Sequence, residues 1–420
     1  MNGANPWPVC PRLPRPAAAV LAALHLREPA TDPLGELNER EWCEALDYCD
    51  RSQLTLPLAG AAAGALPDWV RRRVEEDARK NCIRTRALEE LYRTLAGRLD
   101  EARIEFLALK GLAHCELFGA IPSRRVQYDI DLYIPQESVN CAAEALAPLG
   151  FEPIQGMEDS PTDHLPALIR KTGWEWRGDF FDPDIPVSVE LHFQFWNEEF
   201  EALTAPGIDE FWRRRVRFTV GGAAIDVLCP ADSFGYAALH LLRHLLRGSV
   251  KPFHVYELAR FLELHRSDDC FWREWTRLHD PALKQLEAVA CRLAEAWFGC
   301  SVPGEIAGEI ARLPDGARRW FDTFALSPAI GAFRSNKDEL WLHLSLLHSG
   351  SHVWRIARQR LLPLQLPGPV YAVHVPQNGL TPAMRVKKHA RYAAFLASRL
   401  RHHVAVLPSV AVSGMRWRWG

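Results

Sequence analysis

Apolar positions change period twice along this chain. Before residue 100 they recur three and four apart. Leu88, Leu91, Leu95 and Leu99 fall on one side of a helix expected to begin after Pro67, and Leu21–Leu26 reads as a further helix. Between residues 101 and 230 apolar and polar residues alternate in short runs, the period of half-buried strands. The runs predict strands at Ile104–Leu109, Tyr128–Ile134, Phe151–Ile154, Thr172–Arg177, Val187–Phe193, Val216–Val220 and Ala224–Cys229. A helix is expected over Leu112–Phe118, and another from the N-cap Ser138 to Leu149, with Gly150 closing it. From Asp232, read as an N-cap, the helical period returns to about Gly299 and continues with breaks to 350. The pattern predicts an α+β protein: helices over 1–100, a mixed-sheet core over 101–230, a helical domain over 231–350 and a basic region over 351–420.

Two of the predicted strands carry carboxylates. In Tyr128-Asp129-Ile130-Asp131-Leu132, side chains two apart share a face, so Asp129 and Asp131 point one way and Ile130 and Leu132 the other. In Val189-Glu190-Leu191-His192, Glu190 and His192 share a face. If the strands are neighbours, three carboxylates converge, a set able to hold two divalent metals around a phosphoryl transfer. Mg²⁺ suits that use because it takes oxygen ligands and shares them with substrate phosphates. Asp226 lies on another alternating run and reads as a solvent-facing strand residue rather than the third carboxylate. A lone Asp-x-Asp is a weak signal, but an ordered set is stronger. Here Leu109-Lys110-Gly111 comes first, Arg124 and Arg125 follow, and then come the two strands.

In that order the chain resembles the polymerase-β-type nucleotidyltransferase superfamily. More closely it resembles the uncharacterised bacterial proteins called nucleotidyltransferase family 5, over residues 80–265. The matching strings are Leu109-Lys110-Gly111, Arg124 or Arg125, Asp129-Ile130-Asp131-Leu132 and Glu190-Leu191-His192-Phe193. The resemblance implies a mixed nucleotidyltransferase sheet. It also implies Mg²⁺- or Mn²⁺-dependent transfer of a nucleoside monophosphate from an NTP, with ATP the expected donor, to an unidentified small molecule, peptide or protein. Asp129, Asp131 and Glu190 would be the catalytic metal ligands. Lys110, Gly111, Arg124, Arg125 and His192 would contact the nucleotide, with Lys110 and Gly111 at a helix N-terminus suited to phosphate. One departure stands out: better-studied members have Gly-Ser after the first strand, and this chain has Gly111-Leu112. A catalytically silent binding protein is therefore the alternative reading, and an RNA-directed terminal transferase is a second.

Charge sharpens the second alternative. The net charge is −2, yet after Glu339 there is no acid and there are eleven Lys or Arg, so the first 339 residues carry −13. The split predicts a basic tail lying on the acidic body, with a long amphipathic helix burying Val386, Phe395, Leu396 and Leu400, rather than a free nucleic-acid arm. Ten scattered cysteines without a Cys-x-x-Cys pair read as reduced thiols of a cytoplasmic protein. No apolar run reaches the eighteen or so residues of a membrane span, and the Ala17–Leu24 run reads as helix rather than signal peptide.

Histidines mark the helix after the sheet. His240 and His244 are one turn apart, a spacing that can hold a metal, but no Glu follows His240, so the metalloprotease motif is absent. They are expected to face the active-site cleft or the domain boundary and hydrogen-bond there. Arg247 and His254 have a spacing used by toxin-type helical ribonucleases, but Gly248 to Pro252 breaks the helix and should keep them off one face.

Overall fold

A computed structural model describes residues 13–154, 163–362 and 381–419. Its centre is a seven-stranded mixed sheet. The strands are β1 (Leu107–Ala108), β2 (Asp129–Tyr133), β3 (Phe151–Pro153), β4 (Leu168–Arg170), β5 (Ser188–His192), β6 (Val216–Val220) and β7 (Ala223–Val227), in the order β3-β4-β5-β2-β1-β7-β6. β2 runs parallel to β5 and β1 parallel to β7, while the other pairs are antiparallel. Gly221 and Gly222, both at positive φ, make the two-residue turn between β6 and β7. A Cβ at Gly221 would lie 2.8 Å from the backbone of Glu89, so the turn also needs glycine for space.

Each face of the sheet is covered by helices. α1 (Asp68–Glu101) and α2 (Val139–Leu146) cover one face. Leu88, Leu95, Leu99, Ala142 and Leu146 pack there with Ile130, Leu132, Val189 and Leu191 in one apolar cluster. The predicted start of α1 after Pro67 and its leucine stripe are both present. α3 (Pro230–Leu246), α4 (Pro252–Leu264) and α5 (Pro281–Phe298) belong to the larger core on the opposite side, which reaches Leu107 and Leu109 of the sheet region. There Tyr133 stacks on Phe195 with ring centroids 4.0 Å apart. Proline in the first turn of α3, α4 and α5 fits the position whose N–H would have no helical partner.

Several expectations need correction. Leu112–Phe118 is not a helix: Gly111–Ala113 forms one 3₁₀ turn and the chain continues in turns. The first strand is Leu107–Ala108 alone, and no strand forms over Thr172–Arg177; the pairing segment is Leu168–Arg170. Asp232 is not an N-cap, since Cys229 holds that position; Asp232 instead binds Arg214 through two 2.8 Å hydrogen bonds.

The basic tail departs most. Among the described residues, the buried side chains of α6 (Pro382–Trp419) lie in its second half. Val406 and Val410 are buried, Trp341 donates to Ser413 at 2.9 Å and stacks on Trp417, and Trp417 donates to the Gly316 carbonyl at 2.7 Å. The expected apolar stripe is open: Val386 is 70% and Leu400 66% exposed, Phe395 is also exposed, and Leu396 is only half-buried. The indole and valine contacts lie beyond the segment where the stripe was expected to dock. Among the described residues, no helix is long and apolar enough to cross a membrane.

Candidate functional site

β2 and β5 set the site by register. Their parallel pairing places Asp131 beside Glu190 and Asp129 beside Ser188. Ile130, Leu132, Val189 and Leu191 fill the opposite face, so the apolar half of each strand fixes which way the carboxylates point. Asp129, Asp131 and Glu190 all line a cleft of about 270 Å³ between the sheet and the helices α3 and α4. Asp226 lies outside it and is paired with Arg215 and Arg217, each at 3.1 Å.

His192 ties the carboxylates together. Its Nε2 lies 3.2 Å from Asp131 and 3.6 Å from Glu190, and its Nδ1 lies 3.3 Å from Asp163. The Asp163 carboxylate is itself paired with Arg243 of α3, and the Asp163 backbone carbonyl accepts the N–H of Phe193 at 3.0 Å. Burial alone would lower the His192 pKa, but Tyr236 and the surrounding carboxylates raise it well above the ordinary histidine value. His192 is thus a charged donor in the carboxylate cluster.

Lys110 occupies the other side of Asp131. Its Nζ is 3.1 Å from Asp131 Oδ1 and 3.0 Å from His240 Nε2. Burial disfavours the Lys110 charge, yet Asp131 and Asp129 outweigh it and push the pKa up. Burial would likewise raise Asp131, but Lys110 and His192 hold it well below the usual carboxylate range. Asp129 makes no such ion pair among the described residues, and burial together with Asp131 outweighs the pull of Lys110 and pushes it up to about 6. Gly111 has φ +70°, and a Cβ there would lie 2.3 Å from the Gln127 amide, which donates to the Asp129 carbonyl at 2.6 Å. Only glycine lets the loop after β1 pass this close to the entry of β2. Because no helix follows Gly111, the expected helix N-terminus for phosphate is missing, and the Lys110 charge and loop backbone remain.

The two arginines part company. Arg124 is exposed and lines a second pocket of about 320 Å³, away from the carboxylates. Arg125 is buried where the two pockets meet, with its Nε 2.7 Å from Glu257 of α4. Burial would lower the Glu257 carboxyl's ionisation, but Arg125 and His114 hold its pKa well below the usual range.

The helix wall carries residues that sequence reasoning missed or separated. His240 and His244 face the cleft, one of the two places expected for them. His254 joins them, because the turn at Gly248 brings α4 back alongside α3; Arg247 and His254 therefore line the same cleft despite the break. Burial, with Lys110 beside His240 and Arg243 beside His244, pushes the pKa of both well below the ordinary value; burial and His244 do the same to His254. Asp163, His164, Arg243 and Glu257 carried no strand or helix pattern that marked them, and only their tertiary positions bring them here.

The model of a family described as uncharacterised nucleotidyltransferases matches residues 38–299, more than half of the chain, and the chain belongs to that family. No curated protein matches it. Among solved structures, it is similar to an antigenic nucleotidyltransferase-like protein from Paracoccidioides brasiliensis. The two are 20% identical over 46% of this chain and 86% of that one, with a TM-score of 0.28.

Proposed function

We propose that this member of the family transfers a nucleoside monophosphate from a nucleoside triphosphate, with ATP the expected donor, to a nucleophilic acceptor, and that Asp129, Asp131 and Glu190 hold Mg²⁺ or Mn²⁺ for that step. The observation that carries the reading is the β2–β5 register, which sets Asp131 beside Glu190 at the floor of a cleft. The donor set fits the metal: the Asp131 and Glu190 carboxylates offer ligand atoms within 4.8 Å of each other and supply hard oxygen. A divalent ion bound there supplies charge neutralisation for the phosphates.

The chain's own groups do the remaining work by position and charge. Lys110, already held on Asp131, offers its ammonium to the triphosphate. Lys251, exposed at the rim of the same cleft, supplies a second cation, whereas Arg125 is neutralised by Glu257 and serves to hold the cleft floor. His192 keeps Asp131 and Glu190 in place from behind. Glu190, whose side chain is 25% exposed against 1% for Asp131, faces the open side and is placed to take the acceptor's proton.

The test is incubation with each α-labelled nucleoside triphosphate, Mg²⁺ and a cell extract. A labelled product and released pyrophosphate are expected with the native chain and not with Asp131→Asn. Triphosphate binding without any product would instead favour the silent reading, in line with Leu112 at the position where a serine is usual.

A further inference from the structure

His240, His244 and His254 remain unused by that reading, and among the described residues they form a second cluster whose donor atoms converge. His240 and His244 stand one turn apart on α3, and α4 returns His254 beside them, with ring centroids of His240 and His254 4.8 Å apart. One ligand nitrogen from each of the three lies within 4.8 Å of the others. We infer that these three histidines bind a transition-metal ion of the zinc class, separate from the carboxylate site and independent of the transfer reading.

The hydrogen bonds around the rings say which nitrogens are bare. The Ser249 hydroxyl points at the His244 carbonyl, 3.5 Å away, so its oxygen accepts from His244 Nδ1–H at 3.1 Å. That leaves a lone pair on His244 Nε2. Lys110 Nζ donates to His240 Nε2 at 3.0 Å, which requires a lone pair there too. The two Nε2 atoms face each other at 3.2 Å. With His240 Nε2 accepting from Lys110 and His244 Nδ1 carrying its proton, this contact holds no ring N–H between the two atoms, and one ion could take both nitrogens once Lys110 turns away. A tetrahedral ion with bonds of about 2.0–2.1 Å spaces its ligands about 3.3 Å apart, which is close to the observed gap. His254 Nδ1 is buried without a hydrogen-bond partner, a cost that ligation through that nitrogen would remove. Ser249 fixes the ring of His244 from outside, as an outer partner does for a ligating histidine.

The ligand type sets the metal. Three imidazoles favour zinc-class ions over Mg²⁺ or Ca²⁺, which take oxygen. Three protein ligands leave a fourth position, open to the cleft, for water. Nearby charges oppose a cation less than their number suggests. Arg243 is paired with Asp163 and Arg247 with Glu201, and Lys110 keeps Asp131 when it releases His240.

Titration of the chelator-stripped full chain with Co²⁺ tests this, read by visible absorption and by metal analysis. One equivalent with the spectrum of a tetrahedral nitrogen site is expected, displaced by one equivalent of Zn²⁺. Glu190→Gln, which leaves the Lys110–Asp131 pair intact, should bind Co²⁺ as the native chain does. His244→Gln and His254→Gln should each weaken binding on the order of 100-fold, and Ser249→Ala about tenfold. Zn²⁺ should raise the Tm of the native chain and of Glu190→Gln but not of either histidine variant, and native circular dichroism in at least one histidine variant separates ligand loss from unfolding. A native chain that retains no Co²⁺, Co²⁺ binding indifferent to both histidine substitutions, or binding lost in Glu190→Gln would each overturn the inference.

Discussion

The two walls of the cleft are built on different principles. The sheet wall draws Asp129, Asp131, Glu190 and His192 from two adjacent strands, and their direction follows from a period of two and one register. The helix wall draws His240, Arg243, His244 and His254 from two helices joined by a break, and their convergence depends on how α4 packs back on α3. The sheet wall is bound by charge: Asp131 lies between Lys110 and His192. The helix wall is neutral at its centre, with three imidazoles whose charge is suppressed, and its arginines are paired outward to Asp163 and Glu201. A strand pattern therefore reports its chemistry locally, whereas a helix pair reports it only after folding.

Substitution on the sheet wall should give the largest effect. Asp129→Asn and Asp131→Asn should each lower transfer by about a thousandfold, about 4 kcal/mol, because they remove metal-clamp charge from the transition state. Circular dichroism should remain native, and the Asp129 change should relieve burial of a charge already disfavoured there. Rates from labelled-triphosphate assays decide it; a native rate in either variant would remove the sheet wall from the chemistry.

Next comes the contact that joins the walls. Arg125, just before β2, is paired with Glu257 of α4, and both are buried. Glu257→Gln leaves the guanidinium uncompensated and should cost about 4 kcal/mol of stability in urea unfolding. Arg125→Met combined with Glu257→Leu should recover most of that loss, since the apolar pair leaves no buried charge. Equal losses in the single and double variants would show that the walls are held by packing rather than by this pair.

The carboxylate strands were legible because every clue lay within five residues: alternation fixed the face and Asp-x-Asp the spacing. The start of α1 and its leucine stripe were legible for the same reason. Leu112–Phe118 misled because its composition suits a helix, yet the chain turns at Gly111 and again at Gly119, both at positive φ. Glu257 and Asp163 were invisible. A buried acid carries no periodic mark, and its partner lies 132 residues away for Glu257 and 80 for Asp163. Arg247 and His254 look separate in the sequence because the break between Gly248 and Pro252 ends a shared helical face; the fold brings them together across it.

The helix wall's footing should show in pH dependence. His279 lies 3.1 Å from Asp232 at the start of α3 and 2.7 Å from Glu287 of α5, fully buried. Burial would lower its pKa, but Glu287 and Asp232 raise it to about 9. A folded pKa above the unfolded value means the stabilisation is complete below about pH 6.5 and is lost as pH rises through about 9. It is worth on the order of 2–3 kcal/mol, part of it shared with its two partners. The stability difference between the native chain and His279→Asn should therefore shrink between pH 6.5 and 9.5. A constant difference would mean His279 is neutral in the fold.

The smallest effects should come from α6, where a helical stripe in the sequence does not become a buried face. Val386 and Leu400 lie on the stripe but are exposed, whereas Val410, ten residues beyond Leu400, is buried against the helix containing Trp341. Surface substitutions away from special contacts usually shift stability by no more than about 0.5 kcal/mol, so Val386→Glu and Leu400→Glu should leave urea unfolding of the full chain within that range. Val410→Glu buries a carboxylate among Leu340, Ile356 and Val406 and should release the end of α6, seen as faster proteolysis beyond residue 381. If Leu400→Glu instead destabilised as much as Val410→Glu, the stripe would be buried after all, and the rule drawn from the two walls of the cleft would fail for this helix: periodicity predicts a face, and tertiary packing decides whether that face is covered.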